Sequence, residues 1–243
     1  MSLPTLRGMT ERSTQEAIVK RGEVSLATRL WIPPGQPQFP CVIFVHGLGS
    51  SKESPRNVVI AQRLVDAGIA ALLFDLSGHG ESSLDARDGV AGYIEDLAAI
   101  CDWASEQAQV DGNRLGIAGS SLGGVVALRA TIRNVVAPTT MVLRAPPVDL
   151  DDFAQLSVPT LVLIGSRDPL LTRLRGIDTA IKAVSLDVVD GAGHLFEEPG
   201  TLEAATNETA RWFKTHLAAT EEPAYSRGGG GEPRSREEEL TDD

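Results

Sequence analysis

The sequence predicts an α/β fold built on a mostly parallel sheet with helices on both faces. Three observations carry that expectation. From Glu23 to Leu217, strand-like and helix-like segments alternate, the pattern of a layered parallel sheet. Several strand candidates are continuous apolar runs, as expected of strands buried on both faces. One strand, Leu115-Gly116-Ile117-Ala118, passes through Gly119-Ser120-Ser121-Leu122-Gly123 into a helix-prone stretch, Val125 to Arg133. In such sheets, sites form at the carboxyl ends of the strands.

The elements follow in order. Glu23 to Ile32 alternates apolar and polar residues, as a half-buried strand does. Cys41 to Val45 is a buried strand. Asn57 to Asp66 reads as a helix closed by Gly68. Ala70 to Phe74 is the next strand. Tyr93 to Gln107 carries Ile94, Leu97, Ile100, Cys101 and Ala104 at helical spacing. Beyond Leu115 to Ala118 come strands at Thr140 to Leu143, Thr160 to Ile164 and Leu186 to Val189. Thr172 to Val184 is expected to be helical, and Leu202 to Leu217 to form an amphipathic closing helix.

The 243 residues suit one α/β domain, assigned to residues 1–219. Apolar content of 42% and charged content of 23% are those of a globular protein. Met1 to Glu16 holds no apolar core of a secretory signal, and no run approaches the roughly 20 residues that cross a bilayer, so a cytoplasmic location without membrane contact is expected. The net charge is −11. Residues 220–243 carry eight acids, three arginines and the run Gly228 to Gly231, and are expected to be a disordered acidic tail, with an acidic docking segment as the rival reading. Without a basic face, nucleic acid is not expected as a partner. Cys41 and Cys101 fall in a core strand and a helix and are expected to be free thiols. No cysteine–histidine cluster suggests a metal site.

The chemistry starts at Ser121. A serine on a sharp strand-to-helix turn needs neighbours two residues away that are nearly free of side chain; Gly119 and Gly123 meet that demand for Ser121, whereas Ala118 and Leu122 do not for Ser120. A serine hydroxyl needs a base, and the base an acid to hold its tautomer. His194 stands in Gly191-Ala192-Gly193-His194 after the last strand. Asp168 stands in Gly165-Ser166-Arg167-Asp168-Pro169 after the preceding one. Asp149, Asp151 and Asp152, which follow Arg144-Ala145-Pro146, are rivals for the acid. An oxyanion needs two backbone N–H donors. Leu122, after the nucleophile, and Leu48, in His46-Gly47-Leu48-Gly49, are the candidates. His46 is expected to brace its loop, and Asp75, in the turn Asp75 to Ser82, to bond backbone amides rather than join a second triad with His79. His216 is expected at the surface.

On these residues (His46 to Gly49, Asp75 to Ser82, Gly119 to Gly124, Asp168 and Gly193-His194) the chain resembles the α/β-hydrolase superfamily over about Val24 to Leu217. The details are most similar to its dienelactone-hydrolase-like and small serine esterase branches. The resemblance implies an eight-stranded, mostly parallel sheet, ester hydrolysis through an acyl-serine intermediate, and no cofactor. Peptidases, thioesterases, lactonases and acyltransferases share the pattern, and a non-catalytic binding protein on the same scaffold is the alternative of a different class. Dienelactone hydrolase proper uses a cysteine where Ser121 stands. Pro146 to Val158 leaves little room for a cap, so an open, shallow site for a small-molecule ester is expected.

Overall fold

The computed structural model describes residues 12–83 and 89–218. Residues 220–243, expected to be a tail, lie outside the described residues. The elements run β1 (Ser13–Arg21), β2 (Val24–Ile32), β3 (Phe39–Val45), α1 (Pro55–Asp66), β4 (Ala70–Phe74), α2 (Gly89–Ser105), β5 (Val110–Ser120), α3 (Leu122–Ile132), β6 (Thr140–Arg144), β7 (Thr160–Gly165), α4 (Leu171–Leu174), α5 (Ile177–Ala180), β8 (Val184–Val189) and α6 (Thr201–His216).

The eight strands form one sheet in the order β1-β2-β4-β3-β5-β6-β7-β8. The β1–β2 and β2–β4 pairs are antiparallel. Every pair from β4 to β8 is parallel. Successive side chains on a strand point to opposite faces. In β3 this sends Cys41, Ile43 and Val45 into the core shared with Leu97 and Ile100 of α2 and Val126 of α3. Val42 and Phe44 point the other way, into the core shared with Ile60 and Leu64 of α1 and Phe213 of α6. Both cysteines are free, and burial pushes the Cys101 thiol up to about 12.

Two elements differ from the sequence expectation. β1 pairs with β2 along its whole length, yet only Val19 of its nine residues is buried, so it carries almost no apolar alternation. The helix expected over Thr172 to Val184 is two single turns, α4 and α5. Arg175 turns to ψ 129 and Gly176 adopts the left-handed region at φ 81, and this pair of conformations stops the helix. Between β6 and β7 the only regular structure is the 3-10 turn Leu150–Phe153, in agreement with the expected absence of a cap.

Candidate active site

The sharpest local feature is Ser121, which sits between β5 and α3 at φ 49 and ψ −118. Positive φ in a residue with a Cβ costs about 1–3 kcal/mol and persists only where the surroundings impose it. Here the N–H of Ser121 donates to the Arg144 carbonyl at 2.9 Å, tying the turn to β6. A Cβ on Gly119 would lie 2.6 Å from the Gly123 carbonyl oxygen, and one on Gly123 only 2.0 Å from that of Val45. The glycine requirement read from the sequence is thus a matter of contact: the turn is folded against its own backbone and against the end of β3.

The loops after β7 and β8 bring the other two side chains over this turn. His194 Nε2 is 3.2 Å from Ser121 Oγ, and its Nδ1 is 2.8 Å from Asp168 Oδ2. The Asp168 side chain is almost wholly buried, and its other oxygen accepts the Leu170 N–H at 2.9 Å. Asp149 bonds instead to Arg173 at 3.1 Å, and Asp152 accepts the Asp149 N–H. Neither reaches His194.

Two residues that the sequence reading passed over hold these loops. A Cβ on Gly165 would lie 2.2 Å from the Ala192 carbonyl oxygen, so only glycine lets the two loops cross this closely. Glu198 accepts the Gly193 N–H at 3.0 Å, a bond that lowers the Glu198 pKa. Its signal in the sequence, an acid four residues past the histidine, is too common to stand out.

The His46-Gly47-Leu48-Gly49 loop passes above the turn, with the Gly47 Cα close enough that a Cβ there would contact Ser121 Cβ at 3.5 Å. Among the described residues, no protein acceptor takes the N–H of Leu48 or of Leu122. His46 itself is spoken for. Its Nδ1 lies 2.8 Å from the Gly47 carbonyl and therefore carries the proton, while its Nε2 accepts the Leu76 N–H at 3.0 Å. It braces this loop against the Asp75 turn, as expected. Asp75 accepts the N–H groups of Lys52 and Glu81 at 2.6 and 2.9 Å, as expected, and also pairs with the buried Lys52 ammonium.

Burial holds the His46 imidazole below its ordinary value of 6.5. The sign follows from linkage: the folded ring stays neutral where the unfolded one takes a proton, so stability is complete above 6.5 and is lost as pH falls toward the folded value. His46→Gln should flatten this dependence. Urea unfolding at about pH 7.5 and about pH 5.5 checks it; an equal loss of stability in both proteins would reject His46 as the source.

A cavity of about 220 Å³ opens at these groups, lined by Gly47, Leu48, Ser121, Arg144, His194 and Leu195 among others. Among the described residues, no group of three or more His, Cys, Asp or Glu side chains is placed to hold a metal ion. No helix among them is long and apolar enough to cross a membrane.

Comparison with known proteins agrees with this fold. The family model described as serine aminopeptidase, S33, matches residues 36–154. The dienelactone hydrolase structure from Anabaena variabilis is 31% identical, with a TM-score of 0.75, over 85% of this chain and 99% of that one. Est1E from Butyrivibrio proteoclasticus, solved with ferulic acid, has the same fold at 18% identity and a TM-score of 0.75, covering 84% of this chain and 100% of its own. A Mycobacterium tuberculosis protein provisionally named a phosphoribosyl transferase is 36% identical over 84% of this chain but 46% of its own length, so the chain spans about half of that relative. The fold and the serine turn together define a hydrolase scaffold. The chain belongs to the α/β-hydrolase superfamily, with a dienelactone-hydrolase-like and esterase-like set of neighbours.

Proposed function

We propose that the chain is a serine hydrolase of carboxylic esters, working through Ser121, His194 and Asp168. The observation that carries this reading is one imidazole whose two nitrogens reach the Ser121 hydroxyl and the Asp168 carboxylate. Asp168 accepts from Nδ1 and leaves Nε2 free of its proton, the tautomer a general base needs. Ser121 Oγ attacks the ester carbonyl as its proton passes to Nε2. The carbonyl oxygen becomes an oxyanion held by the N–H groups of Leu48 and Leu122. The C–O bond to the alcohol then breaks, and the leaving oxygen takes the proton from Nε2. Water repeats the sequence on the acyl-serine, giving its proton to Nε2 and then, through it, to Ser121 as the acid departs. No cofactor enters these steps. Exposed Leu48 and Leu195 at the rim offer apolar contact to a small substrate.

The match to a serine aminopeptidase model makes amide cleavage the second reading. A free amino terminus calls for a carboxylate nearby, and the described lining of this cavity has none; its charged groups are Arg56 and Arg144. That favours the ester. The transferase name of the mycobacterial relative belongs to a protein about twice this length and brings no activity to this chain.

The test is covalent labelling by a fluorophosphonate. One equivalent is expected on Ser121, read by peptide mass spectrometry. Asp168→Asn should slow labelling by on the order of 10⁴-fold through the wrong tautomer of His194. Asp149→Asn should not slow it. No label on folded protein would favour a non-catalytic scaffold.

A further inference from the structure

His194 stands in the stretch 190–200 between β8 and α6, which holds neither helix nor strand, and its side chain is 36% exposed. Its Nε2 lies 3.2 Å from Ser121 Oγ, at the long end of the range for proton transfer. A small shift of the loop would break that contact. Whatever fixes the loop therefore bears on the rate.

The segment just before His194 is tethered at each residue. Main-chain bonds hold Ala192: its N–H donates to the Val189 carbonyl at 3.3 Å, and its carbonyl accepts the Arg167 N–H at 2.9 Å. The N–H groups on either side go to side chains. That of Gly191 donates to Ser166 Oγ at 2.8 Å, and this hydroxyl donates on to Asp190 at 3.3 Å. That of Gly193 donates to a Glu198 carboxylate oxygen at 3.0 Å. Ser166 comes from the loop that carries Asp168, and Glu198 from the approach to α6. Glu198 is itself fixed, because its carbonyl accepts the N–H and the hydroxyl of Thr201 at 3.1 and 2.7 Å. Adjacent Glu197 is exposed and pairs with Arg56, whereas Glu198 turns back on the loop. Phe196, between His194 and Glu198, is buried in the core with Phe213 although held at φ 54. A phenylalanine adopts that conformation only where its surroundings impose it.

Resting on the hydrolase reading above, we infer that Glu198 and Ser166 are positioning residues for the reaction: by holding the Gly193 and Gly191 N–H groups, they aim His194 Nε2 at the Ser121 hydroxyl. Neither lines the cavity. A catalytic side chain must be held within about 0.5 Å of its productive place, and supporting hydrogen bonds supply that precision. Glu198 carries the larger share, because it holds the residue directly before His194. Ser166 acts three residues before the histidine, where the Arg167 bond to Ala192 backs it.

Steady-state hydrolysis of 4-nitrophenyl acetate, the rate of fluorophosphonate labelling and a thermal melt test this together. In Glu198→Ala, kcat and the labelling rate should fall roughly tenfold to hundredfold, the cost of displacing a catalytic group by about 1 Å. KM should stay within about twofold, since no contact with substrate is lost. The melting temperature should stay within a few degrees of the parent. Glu198→Gln keeps an acceptor oxygen for the Gly193 N–H and should restore most of both rates. Ser166→Ala should show the same pattern at roughly threefold to tenfold. Should Glu198→Ala not fold, Ser166→Ala carries the test. Parental kcat and labelling in both folded alanine variants would overturn the inference and leave the hydrolase reading standing. So would a lowered melting temperature with unchanged rates, or a raised KM at unchanged kcat. Glu198→Gln as slow as Glu198→Ala would show that the charge acts and not the tether, and would overturn it too. A parent protein that neither turns over nor labels would instead remove the hydrolase reading on which the inference rests.

Discussion

Replacing Ser121 by alanine is expected to abolish ester turnover, a loss on the order of 10⁵-fold or more, as when the nucleophile of a serine hydrolase is removed. The fold should barely notice. The Ser121 hydroxyl bonds only to His194 among the described residues, and the imidazole stays anchored through Asp168. The backbone bond from Ser121 to the Arg144 carbonyl is independent of the side chain, and alanine keeps the Cβ that already tolerates φ 49. The melting temperature should therefore move by no more than about 2 °C, the size of a change well under 1 kcal/mol in a domain of this length. Steady-state hydrolysis of a nitrophenyl ester beside a thermal melt decides the matter. Turnover surviving in folded Ser121→Ala would mean that another group attacks, and would remove Ser121 from the mechanism. Ser120 offers no substitute on local grounds, since only the glycines flanking Ser121 sit against backbone as an elbow requires.

The parts of this molecule that were legible in its sequence are those where one short segment carries the whole constraint. Cys41 to Val45 and Ala70 to Phe74 announce themselves because both faces of each strand are buried. The serine turn does so because two glycines at fixed spacing answer a local clash. Asp168 and His194 are legible through chain order together with their loops after successive strands, and those loops put them within hydrogen-bond reach. What stayed hidden depends on partners distant in the chain. β1 is recognisable only through its pairing with β2, because its residues Glu16, Ile18 and Lys20 face solvent. Gly165 looks like an ordinary loop glycine until the Ala192 carbonyl is set against it. Asp96, on α2 between Glu95 and Leu97, is fully buried and accepts from Ser77 and Arg21. Arg144 lay in plain view before Ala145-Pro146, but its burial beside Asn57, 87 residues earlier, is a fact of three dimensions.

Gly123→Ala should unfold or severely destabilise the protein, while Gly124→Ala, one residue on, should not. Both positions lie in α3, where alanine in place of glycine gains about 1 kcal/mol of helix propensity. That gain is common to the two variants and cancels in the comparison. What differs is the space. The new methyl at residue 123 would lie 2.0 Å from the Val45 carbonyl oxygen and 2.7 Å from that of His46. Both obstacles are main chain at the end of β3, which is fixed by parallel pairing to β4 and β5 and has no side-chain rotation with which to yield. Relief requires α3 to lift from the sheet, at a cost of about 3 kcal/mol or more, which outweighs the propensity gain. At residue 124 the tightest contact of the methyl is the Pro146 Cβ, at 3.0 Å, while the Pro146 Cα at 3.5 Å and the Gly119 carbonyl oxygen at 3.7 Å are ordinary contacts, and a shift of a few tenths of an ångström in the loop after β6 relieves it. Thermal melts should place Gly123→Ala roughly 6–12 °C or more below the parent and Gly124→Ala within a few degrees of it. The strain also bears on function, because lifting α3 carries the Leu122 amide away from the cavity with it. A Gly123→Ala protein that melts normally and cleaves esters at the parental rate would show that the close approach of α3 to β3 does not set the geometry of the serine turn.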